Sequence, residues 1–395
     1  MRSSGPVLIA GGGTAGHILP GLSIAAALVD AGLPRERLRW IGSERGQESS
    51  LVPPSGIDLV LLPGRGIQRR LAVENVGAVV GLLIAAVRAF WIFGRRRPAV
   101  VVSLGGYASV AASIAAVIWR VPLVLAEQNA VAGAANRMLG RFARAAAVPF
   151  DDTGLPRATV TGNPVRDEIL ALRAADPESL GRSRAAARRQ LGMPPDRTVI
   201  AVFAGSLGSR RINEAIAGVV DRWDGRSDLH VHHVVGRRDW ATFVRPRAAD
   251  AGDAAEGSSI SYVDIEYEER MDLLLAAADV AVCRSGGTTV AELAVVGLPA
   301  VLVPLPIAPN DHQRANAAAL LAADAAVLLD DAACTPDGLA SALGPLVDDD
   351  GRLAAMAVAA WTVGRPDAAR DAAALVAAAA GLDLRFGPEV HGDGR

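Results

Sequence analysis

The chain has 395 residues, 51% hydrophobic and 21% charged, which is long enough for two domains with full cores and too apolar for a disordered protein. Its formal net charge of −2 provides no bulk cationic field for nucleic acid, and its two cysteines, Cys283 and Cys334, cannot build a disulfide framework, a zinc ribbon or an iron–sulfur site. Lysine is absent, all 40 basic residues being arginine, which excludes a Walker-type phosphate loop, a Schiff-base enzyme and pyridoxal chemistry.

Along the chain the pattern is strand, glycine turn, helix, repeated. Met1–Pro6 is short and polar and runs into Val7–Ala10, an apolar strand; no secretory signal is expected, and the predicted compartment is the cytoplasm. Gly11-Gly12-Gly13-Thr14-Ala15-Gly16 follows, then a helix over Leu22–Asp30 ending at Gly32. Arg39–Ile41 and Leu59–Leu62 read as strands. Val76–Phe93 is apolar except for Arg88 and sits at the lower edge of membrane-spanning length. A span there would separate the first glycine loop from the strand Ala99–Leu104, so a helix belonging to one domain is expected instead. Leu123–Ala126 is a further strand leading into Glu127-Gln128-Asn129, and Thr159–Thr161 leads to the turn Gly162-Asn163-Pro164.

The second half repeats the scheme. Thr198–Ala204 ends in Gly205-Ser206-Leu207-Gly208, a helix covers Asn213–Trp223, and strands are predicted at His230–Val235, Ile260–Val263, Val280–Cys283 and Ala300–Val303. A helix over Thr289–Val296 lies between the last two strands, and Asp367–Ala380 closes the pattern. This alternation argues for an α/β fold of two Rossmann-like domains facing across a cleft. The expected division is residues 1–163, residues 164–385 and a tail over 386–395. His230, His232 and His233 alternate with Val231 and Val234 as an ordinary strand would, and no metal is expected there.

Three glycine turns follow predicted strands, at Gly11–Gly16, Gly105-Gly106 and Gly205–Gly208, and a fourth, Ser285-Gly286-Gly287, opens a helix. Glycine lets the backbone approach a phosphate closely, and a helix N-terminus supplies unpaired N–H groups and partial positive charge. Such loops can hold a pyrophosphate without lysine or metal. The literal GxGxxG at Gly11–Gly16 alone would also fit a dinucleotide oxidoreductase, but the acidic residue that should end the second strand is missing: Arg39-Trp40-Ile41 runs into Gly42-Ser43.

The sequence carries a set of motifs in order: Gly12-Gly13-Thr14-Ala15-Gly16-His17 with Pro20-Gly21; Gly105-Gly106-Tyr107; Glu127-Gln128-Asn129 with Ala132-Gly133 and Asn136; Gly162-Asn163-Pro164-Val165-Arg166; Gly205-Ser206; Cys283-Arg284-Ser285-Gly286 with Thr289 and Glu292; and Gly297-Leu298-Pro299. Read together, they resemble the motifs of the bacterial peptidoglycan glycosyltransferases of the MurG family. The chain departs from the family pattern at Ala15, Gly287, Thr288, Ala291 and His312. The resemblance implies the glycosyltransferase-B fold and inverting transfer of N-acetylglucosamine from UDP-GlcNAc to the 4-hydroxyl of the muramoyl unit of lipid I, giving lipid II and UDP, with no cofactor and no tightly held metal. Implied partners are UDP-GlcNAc, lipid I, an anionic membrane surface at the cytoplasmic face of the plasma membrane, and cell-wall and division proteins.

The resemblance also implies roles. Gly287, Thr288, Thr289, Val290 and Ala291 form the helix opening that meets the donor, and Glu292 takes the ribose hydroxyls. Val263, at its strand end, presents backbone to uracil. Ser206 and Arg166 contact the diphosphate, Gln313 and Asn129 the sugar hydroxyls, and Thr14, Ala15 and Gly16 complete the site. His17 is the candidate general base, with orientation of the loop as the rival role and Glu127 as substitute or relay. Two other classes stay open at this point: another nucleotide-sugar glycosyltransferase or epimerase of the same fold, and a non-enzymatic nucleotide-binding protein. The segment Val76–Phe93 presents Val76, Val79, Val80, Leu83, Val87, Phe90 and Trp91 at helical spacing, followed by Arg95, Arg96 and Arg97, as an interfacial helix on an anionic leaflet would.

Overall fold

Short runs of apolar residues, fully buried in the central strands, set the architecture. In the computed structural model, which describes residues 5–63, 74–173, 177–205, 208–247 and 259–387, two parallel sheets form in two compact units, residues 1–166 with 365–395 and residues 167–364. Strands covered by helices on both faces need no polar alternation, which is why β1 (Val7–Ala10) is buried throughout.

The first unit continues with α1 (Ala15–Asp30), β2 (Leu38–Ser43), α2 (Glu48–Leu51), β3 (Asp58–Leu62), α3 (Glu74–Arg95), β4 (Val100–Ser103), α4 (Tyr107–Ile118), β5 (Leu123–Ala126), α5 (Ala134–Leu139), β6 (Ala145–Val148) and β7 (Ala158–Val160). Its strands lie in the order β3-β2-β1-β4-β5-β6-β7, all pairs parallel. One face carries Ile18, Ile24 and Leu28 of α1; the other carries Ala85, Ala89 and Phe93 of α3 and the alanine face of α4.

The second unit runs α6 (Asp167–Leu170), α7 (Pro177–Leu191), β8 (Thr198–Phe203), α8 (Arg210–Arg222), β9 (Leu229–Val234), β10 (Ser261–Ile265), α9 (Met271–Ala277), β11 (Val280–Cys283), α10 (Gly287–Val296), β12 (Ala300–Leu302), α11 (His312–Ala322), β13 (Ala326–Leu328), α12 (Pro336–Val347) and α13 (Asp350–Val363). Its sheet order is β10-β9-β8-β11-β12-β13, again parallel. Both sheets reverse strand order between their first and fourth strands, where doubly wound folds place ligands at the carboxyl edge.

Several expectations are corrected. The last helix, α14 (Ala368–Ala380), belongs to the first unit rather than the second. Its Ala372, Ala373, Val376, Ala379 and Ala380 join the core beneath α1, and Arg385 donates its N–H to the Ala31 carbonyl at 3.0 Å. The small side chains let the helix lie close to the sheet, and nothing in its amphipathic pattern states which sheet it covers. Phe386, placed in the expected tail, packs on the same core, whereas His391–Arg395 lies outside the described residues. Helix α1 starts at Ala15, seven residues before the predicted Leu22, with Pro20 inside it. Strands β6 and β13 were not predicted, because Ala145-Ala146-Ala147 and Ala326 carry little strand propensity of their own.

The three histidines of β9 are core residues. His230 and His232 share one face, with ring centroids 6.4 Å apart, while His233 lies on the other, its Nδ1 2.8 Å from Tyr262 Oη and its Nε2 3.0 Å from Asn213 Oδ1. Burial pushes His230 down to about 4 and His233 down to about 3 from the ordinary 6.5, and lowers His232. The unfolded chain therefore takes up these protons first, so stability is full above about pH 6.5 and is lost as the pH falls toward 4. Each of His230 and His233 should weaken the fold by about 2 kcal/mol by pH 5. Calorimetric scans from pH 7.5 to 5 should show this loss, and His230→Asn should flatten the slope; a pH-independent midpoint in the parent would contradict it.

Candidate active site

In the first unit two glycine loops meet backbone to backbone at the strand-order reversal. Gly11, Gly12 and Gly13 have φ of 134°, 140° and 93°, and Gly105 and Gly106 have 89° and 81°, left-handed values that favour glycine. A Cβ on Gly11 would stand 2.5 Å from the Gly105 carbonyl oxygen, and one on Gly106 would stand 2.9 Å from that of Gly12. The loops therefore tolerate no side chain where they touch.

This contact fixes the start of α1. Thr14 is the N-cap residue but makes no side-chain cap; Gln47 supplies it, its Oε1 accepting from the Ala15 N–H at 2.8 Å. Thr14 Oγ1 is instead 3.2 Å from His17 Nδ1. The His17 ring lies alongside Gly105, where a Cβ would be 3.7 Å from Nε2, and Asn136 Nδ2 flanks the same position at 3.6 Å. Ala15, Gly16 and His17 are half-buried in the first turn, with Thr14 exposed before them. Glu48, fully buried, wedges beneath the loop: its Oε1 accepts from the Ser43 N–H at 2.8 Å, and a Cβ on Gly12, Gly42 or Gly46 would come within 2.7 Å of it.

Glu127, buried just beyond β5, is the hub of the next loop. Its Oε1 accepts from the N–H groups of Gln128 and Asn129, both at 3.1 Å, and from Asn129 Nδ2 at 3.3 Å. Its Oε2 accepts from the Gly133 N–H and from Asn136 Nδ2, both at 2.9 Å. With five donors on two oxygens the carboxylate holds the loop in place. Through Asn136 the hub reaches the neighbourhood of His17.

In the second unit the corresponding edge carries α10. Gly286, its N-cap residue, provides no side-chain cap. Gly287, Thr288, Thr289, Val290, Ala291 and Glu292 form the first turn and a half, with Val290 and Glu292 buried and the others half-buried. Burial pushes the Cys283 thiol well up, and the Glu292 carboxylate adds to that shift. Ser285 Oγ is fully buried and has no hydrogen-bond partner among the described residues. Asn316 Nδ2 donates to the Ser285 carbonyl at 3.1 Å, drawing α11 to this opening, and Gln313, one turn earlier, accepts from the Leu305 N–H at 2.9 Å through Oε1.

The structure thus groups Thr14–His17 with Asn136, Glu127 and Asn129 in one unit, and Gly287–Glu292 with Gln313 in the other. Arg166 ends the first segment of the first unit. Ser206 lies outside the described residues. Val263 is in the middle of β10, not at its end, because the strand continues to Ile265; it is paired with His232. Among the described residues no group of three or more His, Cys, Asp or Glu is placed to hold a metal ion. Gln47 and Glu48, at the start of a one-turn helix, carry no recognisable sequence pattern, whereas Asn136 and Arg284 stand inside the motifs without an assigned role.

Residues 7–148 match the glycosyltransferase family 28 N-terminal domain, and residues 199–372 match the family's C-terminal domain. The chain belongs to glycosyltransferase family 28. A relative from Mycolicibacterium vanbaalenii, named UDP-N-acetylglucosamine--N-acetylmuramyl-(pentapeptide) pyrophosphoryl-undecaprenol N-acetylglucosamine transferase, is 41% identical over 387 residues, covering 96% of this chain and 92% of its own. One of the same name from Nocardioides is 42% identical over 356 residues, covering 90% and 92%. The crystal structure of Acinetobacter baumannii MurG superposes with a TM-score of 0.71 at 26% identity, covering 94% of this chain and 99% of that one. The family 28 match, with a parallel sheet in each unit, makes this chain a glycosyltransferase of the glycosyltransferase-B fold.

In this family 28 chain Glu127→Gln replaces one acceptor oxygen by an NH2 that must face donors. A loss of about 1–3 kcal/mol in urea unfolding is expected from the unmade hydrogen bonds, with unchanged stability as the contrary result.

Proposed function

We propose that the protein transfers N-acetylglucosamine from UDP-GlcNAc to the 4-hydroxyl of the muramoyl sugar of lipid I, releasing UDP and lipid II with inversion at the anomeric carbon. The observation that carries this reading is the near-full-length identity to relatives named for that reaction, joined to a helix opening without a side-chain cap beside buried Glu292. The same fold in nucleotide-sugar epimerases lacks that first support.

The donor's diphosphate sits against the α10 N-terminus, whose N–H groups and dipole stabilise the charge that grows on the β-phosphate as its bond to the sugar breaks. Glu292 accepts hydrogen bonds from the ribose hydroxyls. Gln313, its Oε1 engaged by Leu305, turns its amide NH2 toward the sugar. Ser206 and Arg166 serve the diphosphate, and Asn129 serves a sugar hydroxyl.

As the new carbon–oxygen bond forms, the acceptor hydroxyl passes its proton to His17 Nε2. That requires the neutral tautomer with hydrogen on Nδ1, donated to Thr14 Oγ1, which lies at 3.2 Å. Glu127 acts as a positioning residue for this base through Asn136, not as the base itself. A radiolabelled transfer assay with UDP-GlcNAc and a lipid I analogue tests the whole reading. Glu292→Ala should raise the donor KM roughly tenfold, matching about 1–3 kcal/mol of lost hydrogen bonding to a charged group, while His17→Ala should cut kcat by 100-fold or more, in the range of general base catalysis, with little change in UDP affinity. Absence of transfer by the parent would reject the reading.

The acceptor's lipid places the reaction at the cytoplasmic surface of the plasma membrane, with α3 as the contact. Among the described residues no helix is long and apolar enough to cross a membrane. Val80, Leu83, Ile84, Val87 and Trp91 are exposed along α3, which ends at Arg95 and is followed by exposed Arg96 and Arg97. Exposed Ile118 adjoins Trp119, whose ring lies 5.2 Å from that of Phe90. The side chains of Val76 and Val79 lie outside the described set. The double change Leu83→Ser with Trp91→Ser should release the protein from anionic vesicles in sedimentation while leaving its melting temperature unchanged; undiminished binding would place the contact elsewhere.

A further inference from the structure

Arg284 follows β11, beside the proposed donor site, yet its guanidinium is turned into the protein and its side chain is only 13% exposed. One arm, Nη2, donates to Ser209 Oγ at 2.7 Å. The other, Nη1, donates to the carbonyls of Val303 at 3.0 Å and Pro304 at 3.1 Å and pairs with Asp331 at 2.7 Å. These partners follow three different strands, β8, β12 and β13, so one planar group ties together the loops along the carboxyl edge of the second sheet.

Two of the three ties lead to groups with a stated task. Ser209 is the N-cap of α8 and accepts from the Ile212 N–H at 3.5 Å, so the arm on its Oγ holds the end of the glycine loop Gly205–Gly208. Pro304 precedes Leu305, whose N–H is bound by Gln313, so the second arm holds the loop on which Gln313 rests. We propose that Arg284 is a positioning residue for nucleotide-sugar binding: it sets the separation of the β8 and β12 loops around the α10 opening without touching the donor. This inference rests on the donor site proposed above. Lysine is no substitute, since a single ammonium lacks the fork that reaches the hydroxyl on one side and the two carbonyls and carboxylate on the other.

The test measures UDP affinity by calorimetry, and kcat and KM for each substrate, in the parent, Arg284→Lys, Ser209→Ala and Glu292→Ala, with melting temperature as the check on folding. Arg284→Lys should raise the UDP Kd and the donor KM about tenfold, as loss of charge-assisted hydrogen bonds does, and leave the acceptor KM unchanged. Ser209→Ala, which cuts only the arm to α8, should raise both about threefold by loss of a single hydrogen bond, and it keeps the test decisive if the arginine variant does not fold. A merely structural role would lower the active fraction, and so kcat, without moving the donor KM. Folded variants at Arg284 and Ser209 that bind UDP as the parent does, while Glu292→Ala does not, would overturn the proposal and leave the donor site standing. Unchanged UDP affinity in all three variants would overturn both.

Discussion

Two backbones touch at the point where the first sheet reverses its strand order, and the first unit's candidate site is arranged around that contact. The Gly105 carbonyl occupies the space a side chain on Gly11 would need, and the Gly12 carbonyl does the same for Gly106. Because the loops lie that close, α1 begins at Ala15, its first N–H is met by Gln47, and His17 comes to rest alongside Gly105. A larger residue at either contact would separate the loops and move the imidazole with them. Beneath the loop, Gly12, Gly42 and Gly46 leave room for the side chain of the fully buried Glu48.

Each unit then relies on one polar hub. In the first it is an anion, the Glu127 carboxylate, which gathers backbone and amide donors from the loop after β5. In the second it is a cation, the Arg284 guanidinium, which gathers carbonyls, a hydroxyl and a carboxylate from the loops after β8, β12 and β13. Loops at the carboxyl edge of a parallel sheet have no ladder of their own to fix them. A multidentate charged group supplies that order, and its several hydrogen bonds offset the cost of burying the charge. Both hubs hold the loops that carry the proposed reacting and binding groups.

Helix α3 meets two demands at once. Ala85, Ala89 and Phe93 pack on the first sheet, while Leu83, Val87 and Trp91 on the opposite side stay exposed. A helix apolar all round would ordinarily be buried or membrane-spanning. Here the helix packs by one stripe and leaves another exposed, with exposed arginines at its end, and that second stripe is the one proposed above to meet an anionic bilayer surface.

The sequence by itself determined the α/β class, the two-sheet organisation, most of the strands and the glycine loops, because buried parallel strands are continuous apolar runs and glycine marks left-handed turns. The motif set was specific enough to point to the family that the full-length relatives then established. Tertiary structure alone decided what depends on distant residues meeting. It returned α14 to the first unit, since an alanine-rich amphipathic face fits either sheet and only packing selects one. It placed Val263 inside β10 rather than at its end, because strand length follows from pairing with β9 and not from local propensity. It set the surroundings of the candidate base and its possible relay: the His17 ring lies beside Gly105, whereas Glu127 accepts from donors up to nine positions away. And it revealed Arg284, whose partners lie 19 to 75 residues away in sequence and come within reach of one guanidinium only when the strands are in order.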